Sequence, residues 1–344
     1  MKPWIGALAG AASCIVAASA HAQQIRISHH YDETDARGRA TRVFVEEAQR
    51  RAPELAFHIY PKLSLGLTST GQLDALQSGQ LEMAVFPFSY AAEKIPEASL
   101  ALLPGLVPSL DIARRLKTTE LYDSLQDVAQ AHGVRIVTWW WSPGGFATKA
   151  RAIQAPATVA GLKMRAADPL FERMLQAAGA RTLQVPLPAI RSALDEGKLD
   201  GLLTAYETYV SLKLHDQLKF VTVGEPTIWM LFHPLLMSNA TWDNLSKEQQ
   251  IAIGTAAEAA EAFFETTQRE AEQRLVKVAE ANGVAVRQFT RQEYEAWLDL
   301  ARRTAWGDYM RKSPKAQRLL LDTMQIIMDE FGGKGEGDGA KPRQ

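Results

Sequence analysis

Short β-forming runs alternate with amphipathic, helix-length segments along almost the whole chain, and that alternation favours βαβ units wound around a mostly parallel sheet. Residues 24–28 read as the first strand, with Ile25 and Ile27 on one face. Residues 35–51 place Ala40, Val43, Phe44 and Ala48 at a helical period; Pro53 stops that helix, and residues 55–60 form a second strand. Ser69-Thr-Gly-Gln72 has the form of a capping box for a helix ending at Ser78, with Gly79 just past its end and a third strand over 83–86. The pattern Ala75-Leu-Gln-Ser-Gly-Gln-Leu-Glu82 then returns as Ala193-Leu-Asp-Glu-Gly-Lys-Leu-Asp200. In each copy a helix end, a glycine, a leucine and an acid lead into an apolar strand. Two copies describe two α/β lobes built on one plan, and 344 residues with 47% hydrophobic content suffice for two cores. Glu82 and Asp200 read as turn or N–H-bonding acids rather than a catalytic pair.

Between the copies, residues 134–141 read as one strand, and Ser142-Pro-Gly-Gly145 after it as a break that serves as crossover or hinge. Helices over 168–178 and 188–196 and strands over 182–185 and 219–223 continue the second lobe, which ends at a second break, Gly224-Glu-Pro226. A short strand over 235–238 is placed to return to the first lobe. Ser246-Lys-Glu-Gln249 caps a very long helix reaching about residue 281, and Thr290-Arg-Gln-Glu293 caps another. The expected division is 23–142 with 226–265 as lobe I, 143–225 with 266–331 as lobe II, and a flexible glycine-rich tail over 332–344.

Residues 1–22 combine Lys2, an apolar stretch and Ala20-His21-Ala22, the form of a cleaved signal peptide, so the expected location is periplasmic. Cleavage removes Cys14, the one cysteine, and leaves a fold without thiol or disulfide chemistry. The balance of 38 Lys+Arg against 39 Asp+Glu argues against a nucleic-acid partner. No HExxH, CxxC, G-x-S-x-G or Walker pattern occurs, and His58, His132, His215 and His233 lack metal-ligand spacing. The reading is therefore of a protein without catalysis, cofactor or metal.

Lys163-Met-Arg165, Ala178-Gly-Ala180 and Asp200-Gly201 resemble the periplasmic solute-binding proteins of tripartite ATP-independent periplasmic (TRAP) transporters, the DctP family. Tyr60-Pro-Lys-Leu63, Gly79-Gln-Leu-Glu-Met83 and the run from Asn239 through Trp242 and Leu245 to Gln250 extend the likeness over the whole mature chain. The resemblance implies an α/β Venus-flytrap fold with two lobes and a long interlobe helix. It also implies capture of an organic acid for delivery to TRAP membrane subunits. The runner-up is the binding subunit of an ATP-driven importer or a sensor partner; a periplasmic hydrolase would need a nucleophile–base pair.

A carboxylate entering a cleft loses its water, and the planar fork of arginine compensates best. The resemblance puts the family's ligand arginine at Arg165. Thr204 stands at the family's asparagine position, and Gly144-Gly145-Phe146-Ala147 lacks the second arginine of sialic-acid binders. Leu187 replaces a family phenylalanine. With Phe146 and Leu187 on an apolar wall, the expected ligand is a monocarboxylate with an apolar or aromatic body rather than a polyhydroxy acid, with a dicarboxylate or keto acid as the alternative. Among the tryptophans, Trp141 and Trp229 flank the crossovers, where they are placed to stack on a ligand or to pack the core. One of His29, His30 and Tyr31, after the first strand, is a further candidate, as are Ser69, Thr70 and Phe88. Arg191 reads as a solvated helix-face residue.

Overall fold

The first lobe begins with β1 (Gln23–Ser28), α1 (Ala36–Arg51), β2 (Leu55–Tyr60), α2 (Gly71–Gln77) and β3 (Met83–Val85). These coordinates are a computed structural model that describes residues 23–331; the expected signal peptide and the 332–344 tail lie outside the described residues. Next come α3 (Leu110–Arg115), α4 (Glu120–Ala131), β4 (Val134–Ile136), β5 (Trp141–Thr148) and β6 (Lys163–Ala166). They are followed by α5 (Pro169–Ala177), β7 (Arg181–Gln184), α6 (Ile190–Asp195), β8 (Gly201–Ala205), α7 (Tyr206–Ser211) and β9 (Phe220–Val223). The chain returns through β10 (Trp229–Phe232), β11 (Leu235–Ser238), α8 (Asn239–Asp243) and α9 (Lys247–Arg269). It finishes with α10 (Ala271–Ala281), β12 (Ala285–Gln288), α11 (Arg291–Ala301), α12 (Gly307–Met310) and α13 (Pro314–Phe331).

Two sheets result. The first has the order β2-β1-β3-β11-β4, with β1 parallel to β2 and β3 and the returning β11 antiparallel to its neighbours. The second has the order β12-β9-β5-β8-β6-β7; β5 runs antiparallel to β8 and β9, whereas β6 is parallel to β7 and β8. Helix α9 lies along α1, where Ala36, Ala40, Phe44 and Ala48 meet Ala252, Ile253, Ala256, Ala260 and Phe264 in one buried cluster. Small residues on both faces let the two backbones approach closely.

The sequence echo is a structural repeat. Gly79 and Gly197 hold φ of +71° and +67°, which a side chain would strain. Leu81 N donates to Ala75 O at 2.9 Å, and Leu199 N to Ala193 O at 3.2 Å. Each acid then caps the strand beside its own. Glu82 accepts from Arg26 N on β1, and Asp200 from Lys163 N on β6, both at 2.8 Å.

The structure corrects five local expectations. The run 134–141 is not one strand: β4 stops at Ile136 and β5 starts at Trp141. Pro143-Gly144-Gly145, expected as a break, lies inside β5, because a Cβ at Gly144 or Gly145 would sit 2.2 Å from Thr204 O or Thr222 O. The capping box at Ser69 does not form; the Gly71 N–H is taken by Thr68 Oγ1 instead. The boxes at Ser246 and Thr290 do form, but the long helix is interrupted at Glu270. Residues 229–232, expected with the first lobe, hydrogen-bond to β5 of the second sheet.

Candidate functional site

The carboxyl ends of β1 and β3 face those of β6 and β8 across a cleft, the position where open α/β sheets take ligands. There His30, Tyr31, Arg37, Pro87 and Tyr90 from the first lobe meet Arg165, Ala167, Leu187, Thr204 and Thr208 from the second, with Trp229 and Leu231 on the crossover strand β10. The cavity they line opens to solvent, and about 330 Å³ of non-atom space lies between these residues and its mouth.

Arg165 projects from the end of β6 and is only 3% exposed. Its Nε donates to Val185 O at 3.0 Å, which fixes the plane of the guanidinium. Among the described residues no carboxylate lies within ion-pair distance of it. Arg37 is also buried but differently bound. Its Nε and Nη2 each donate to Asp35 at 2.5 Å, and Nη2 also reaches Thr208 Oγ1 at 3.2 Å, joining the two sides of the cleft. The Arg37 guanidinium lies 3.9 Å over the Tyr31 ring.

The Tyr31 hydroxyl contacts His233 Nδ1 at 3.2 Å, and His233 Nε2 contacts Ser142 Oγ at 2.9 Å. Burial, then the positive charge of Arg37, push the His30 imidazole down to about 3, so it is neutral at physiological pH. Burial holds the Tyr31 phenol protonated and pushes His233 well below its ordinary range. Two buried lining groups, His30 Nδ1 and Trp229 Nε1, have no hydrogen-bond partner among the described residues. The site therefore offers one uncompensated cation, neutral donors and acceptors, and an apolar wall.

Of the sequence candidates, Arg165, Thr204, Leu187, Trp229, His30 and Tyr31 meet in this cavity. Four others lie elsewhere. Trp141 packs against Trp139 and Phe232, with ring centroids 5.6 and 4.9 Å away. Phe146 sits against Trp297 at 5.0 Å, on the far face of the second sheet's core. Phe88 packs edge-on to Phe232, and half-buried Ser69 uses its carbonyl on Gln72 Nε2. Arg191 bonds the carbonyls of Leu212 and Lys213 and the carboxylate of Asp216. Sequence reasoning missed Arg37, Thr208 and Tyr90. The Asp35-x-Arg37 spacing at a helix start was the available signal for the first; nothing local distinguishes the other two.

Residues 27–311 match the model of DctP, the bacterial extracellular solute-binding protein family 7. A solute-binding protein of Albidiferax ferrireducens is 30% identical over 330 residues, covering 94% of this chain and 97% of that one. A TRAP periplasmic solute-binding protein from Rhodoferax ferrireducens, solved with bound malonate, has a TM-score of 0.86 at 30% identity, over 89% of this chain and 99% of that one. One from Chromohalobacter salexigens, with bound D-glucuronate, shares the fold at a TM-score of 0.81 and 20% identity, over 88% and 99% of the two chains.

Proposed function

The chain belongs to the bacterial extracellular solute-binding proteins of family 7, the TRAP-associated DctP proteins, and from that premise we propose that it captures a small organic acid on Arg165 and delivers it to TRAP membrane subunits. The observation that carries this reading is a buried arginine, facing a cavity, with no carboxylate beside it among the described residues. An entering carboxylate would supply the missing countercharge through a bidentate bond to the terminal nitrogens. Malonate in the Rhodoferax relative and D-glucuronate in the Chromohalobacter one are both carboxylates, which supports the same class here.

In this reading the lobes close over the acid as two units, one built on the β2-β1-β3-β11-β4 sheet and the other on the second sheet with β10. The segment around Gly224, whose φ is +127°, and the interruption at Glu270 take up the hinge rotation. The Arg37–Thr208 bond spans the cleft and belongs to the closed arrangement. Residues 1–22 direct export to the periplasm, where closed protein meets the transporter. Thermal-shift screening of an organic-acid panel tests the reading. A cognate acid at about 100 times its Kd should add about 2.7 kcal/mol of apparent stability. That gain should vanish in Arg165→Ala; a panel that shifts neither protein would refute the proposal.

A further inference from the structure

The cleft holds two buried arginines, but only one brings net charge to it. Asp35 and Arg37 form a two-pronged ion pair in which each side chain is 2% exposed. Burial alone would raise the Asp35 carboxyl; the Arg37 guanidinium outweighs it and holds it below the usual carboxylate range, so the pair is ionised and electrically neutral. Nε and Nη2 of Arg37 are committed to Asp35 and Thr208, and the guanidinium lies over the Tyr31 ring. Arg37 thus lines the cavity without adding a net positive charge there. The neighbouring Glu207 is likewise matched, by Arg274. Among the described residues of the cleft, Arg165 alone is an uncompensated cation.

We propose that Asp35 is a specificity-determining residue that restricts the site to acids with a single negative charge. By neutralising Arg37 it leaves one cation for one carboxylate. A second carboxylate would lose its water and find no free cation, which is costly in a buried site. The inference rests on the reading of the cleft as a carboxylate site anchored by Arg165. It adds that selection between mono- and dicarboxylates is made on the opposite wall.

Matched acids differing by one carboxylate test this: lactate against malonate and butyrate against succinate, titrated calorimetrically at mildly alkaline pH. The wild type should prefer the monocarboxylate of each pair by about tenfold or more. Asp35→Asn, which keeps a helix-capping oxygen, unmasks Arg37 and should move the ratio toward the dicarboxylate by about tenfold. Asp35→Asn with Arg37→Gln restores neutrality on that wall and should restore the original order. Equal binding of both acids by the wild type, or an unmoved ratio in Asp35→Asn, overturns the inference. If Asp35→Asn does not fold, the double variant decides: loss of the preference there overturns it equally. If Arg165→Ala abolishes binding while the ratio ignores Asp35, only this inference fails. If no acid of either pair binds, or Arg165→Ala binds them undiminished, the carboxylate reading fails and takes the inference with it.

Discussion

Each wall of the cleft is built from a parallel strand, a short loop and a helix whose first turn is capped by a buried aspartate, and the two walls treat that aspartate in opposite ways. On the first wall Asp35 caps α1, accepting from Arg37 N at 3.0 Å, and the Arg37 side chain folds back onto the same carboxylate. On the second, Asp168 caps α5 by accepting from Leu170 N at 2.7 Å, but its Oδ2 has no hydrogen-bond partner among the described residues. Arg165, three residues earlier, turns to the Val185 carbonyl instead. Burial accordingly pushes the Asp168 carboxyl up to about 7, while Asp35 stays below its ordinary value. One local plan yields a neutral, rigid wall and a wall with a free cation. Rigidity and ligand charge are thus separated onto different lobes.

The sharpest way to break this comparison is to remove Arg37. Arg37→Ala strands the Asp35 charge in the interior and should cost about 3–5 kcal/mol of stability, read from urea unfolding. Arg165→Ala leaves no buried carboxylate behind and should unfold close to the wild type. Equal losses from both would mean that the two walls do not differ as described.

For binding the order reverses. Arg165→Ala should weaken the acid identified by screening by at least about 2 kcal/mol, measured by calorimetric titration. Arg165→Lys should also bind poorly, since an ammonium cannot reproduce the planar fork. An alanine variant with wild-type affinity would remove Arg165 from the site.

Asp168 sharpens the contrast through pH. Its folded value of about 7 lies above the unfolded carboxylate value of about 3.9, so between the two the folded chain holds a proton that the unfolded chain has released. Its contribution is fully present below about pH 4 and is lost as pH rises through about pH 7. Asp168→Asn keeps the cap and removes that loss. The variant should match the wild type in acid and exceed it above neutrality, by on the order of 2 kcal/mol. Melting curves across pH that stay parallel for the two proteins would contradict the raised value.

What the sequence revealed, and what it hid, follows the range of the interactions involved. Elements set by nearest neighbours were legible: the capping boxes at Ser246 and Thr290, the glycine ends at Gly79 and Gly197, and the capping roles of Glu82 and Asp200. Trp139 and Trp141 share one cluster, while Trp140 stacks on Phe264 at 5.1 Å in another. Residues whose role is decided by a distant strand misled. Gly144 and Gly145 looked like a break and are the only side chains small enough for the carbonyls of Thr204 and Thr222. The role of Arg37, in the first turn of a charged helix, is defined only by α7 and Tyr31, which close over it.

The smallest expected effect concerns Thr204, the polar group next to Arg165 on the charged wall. It lies on β8, paired with Gly145, and is 4% exposed while lining the cavity. Its hydroxyl makes no hydrogen bond to any described residue, in contrast to the nearby Thr208, whose hydroxyl accepts from Arg37. A buried hydroxyl facing a polar cavity without a protein partner is suited to the ligand. Thr204→Val keeps the shape and the β-branching, so strand packing should survive and stability should hold or rise slightly. Binding should weaken by about 0.5–1.5 kcal/mol, the worth of one neutral hydrogen bond. Had Thr204 only a packing role, the titration would show unchanged affinity, and Arg165 would stand alone as the second wall's polar anchor. A loss larger than that range would instead mean that the hydroxyl also orients the Arg165 fork, which the Arg165→Ala/Thr204→Val double variant would expose as non-additive.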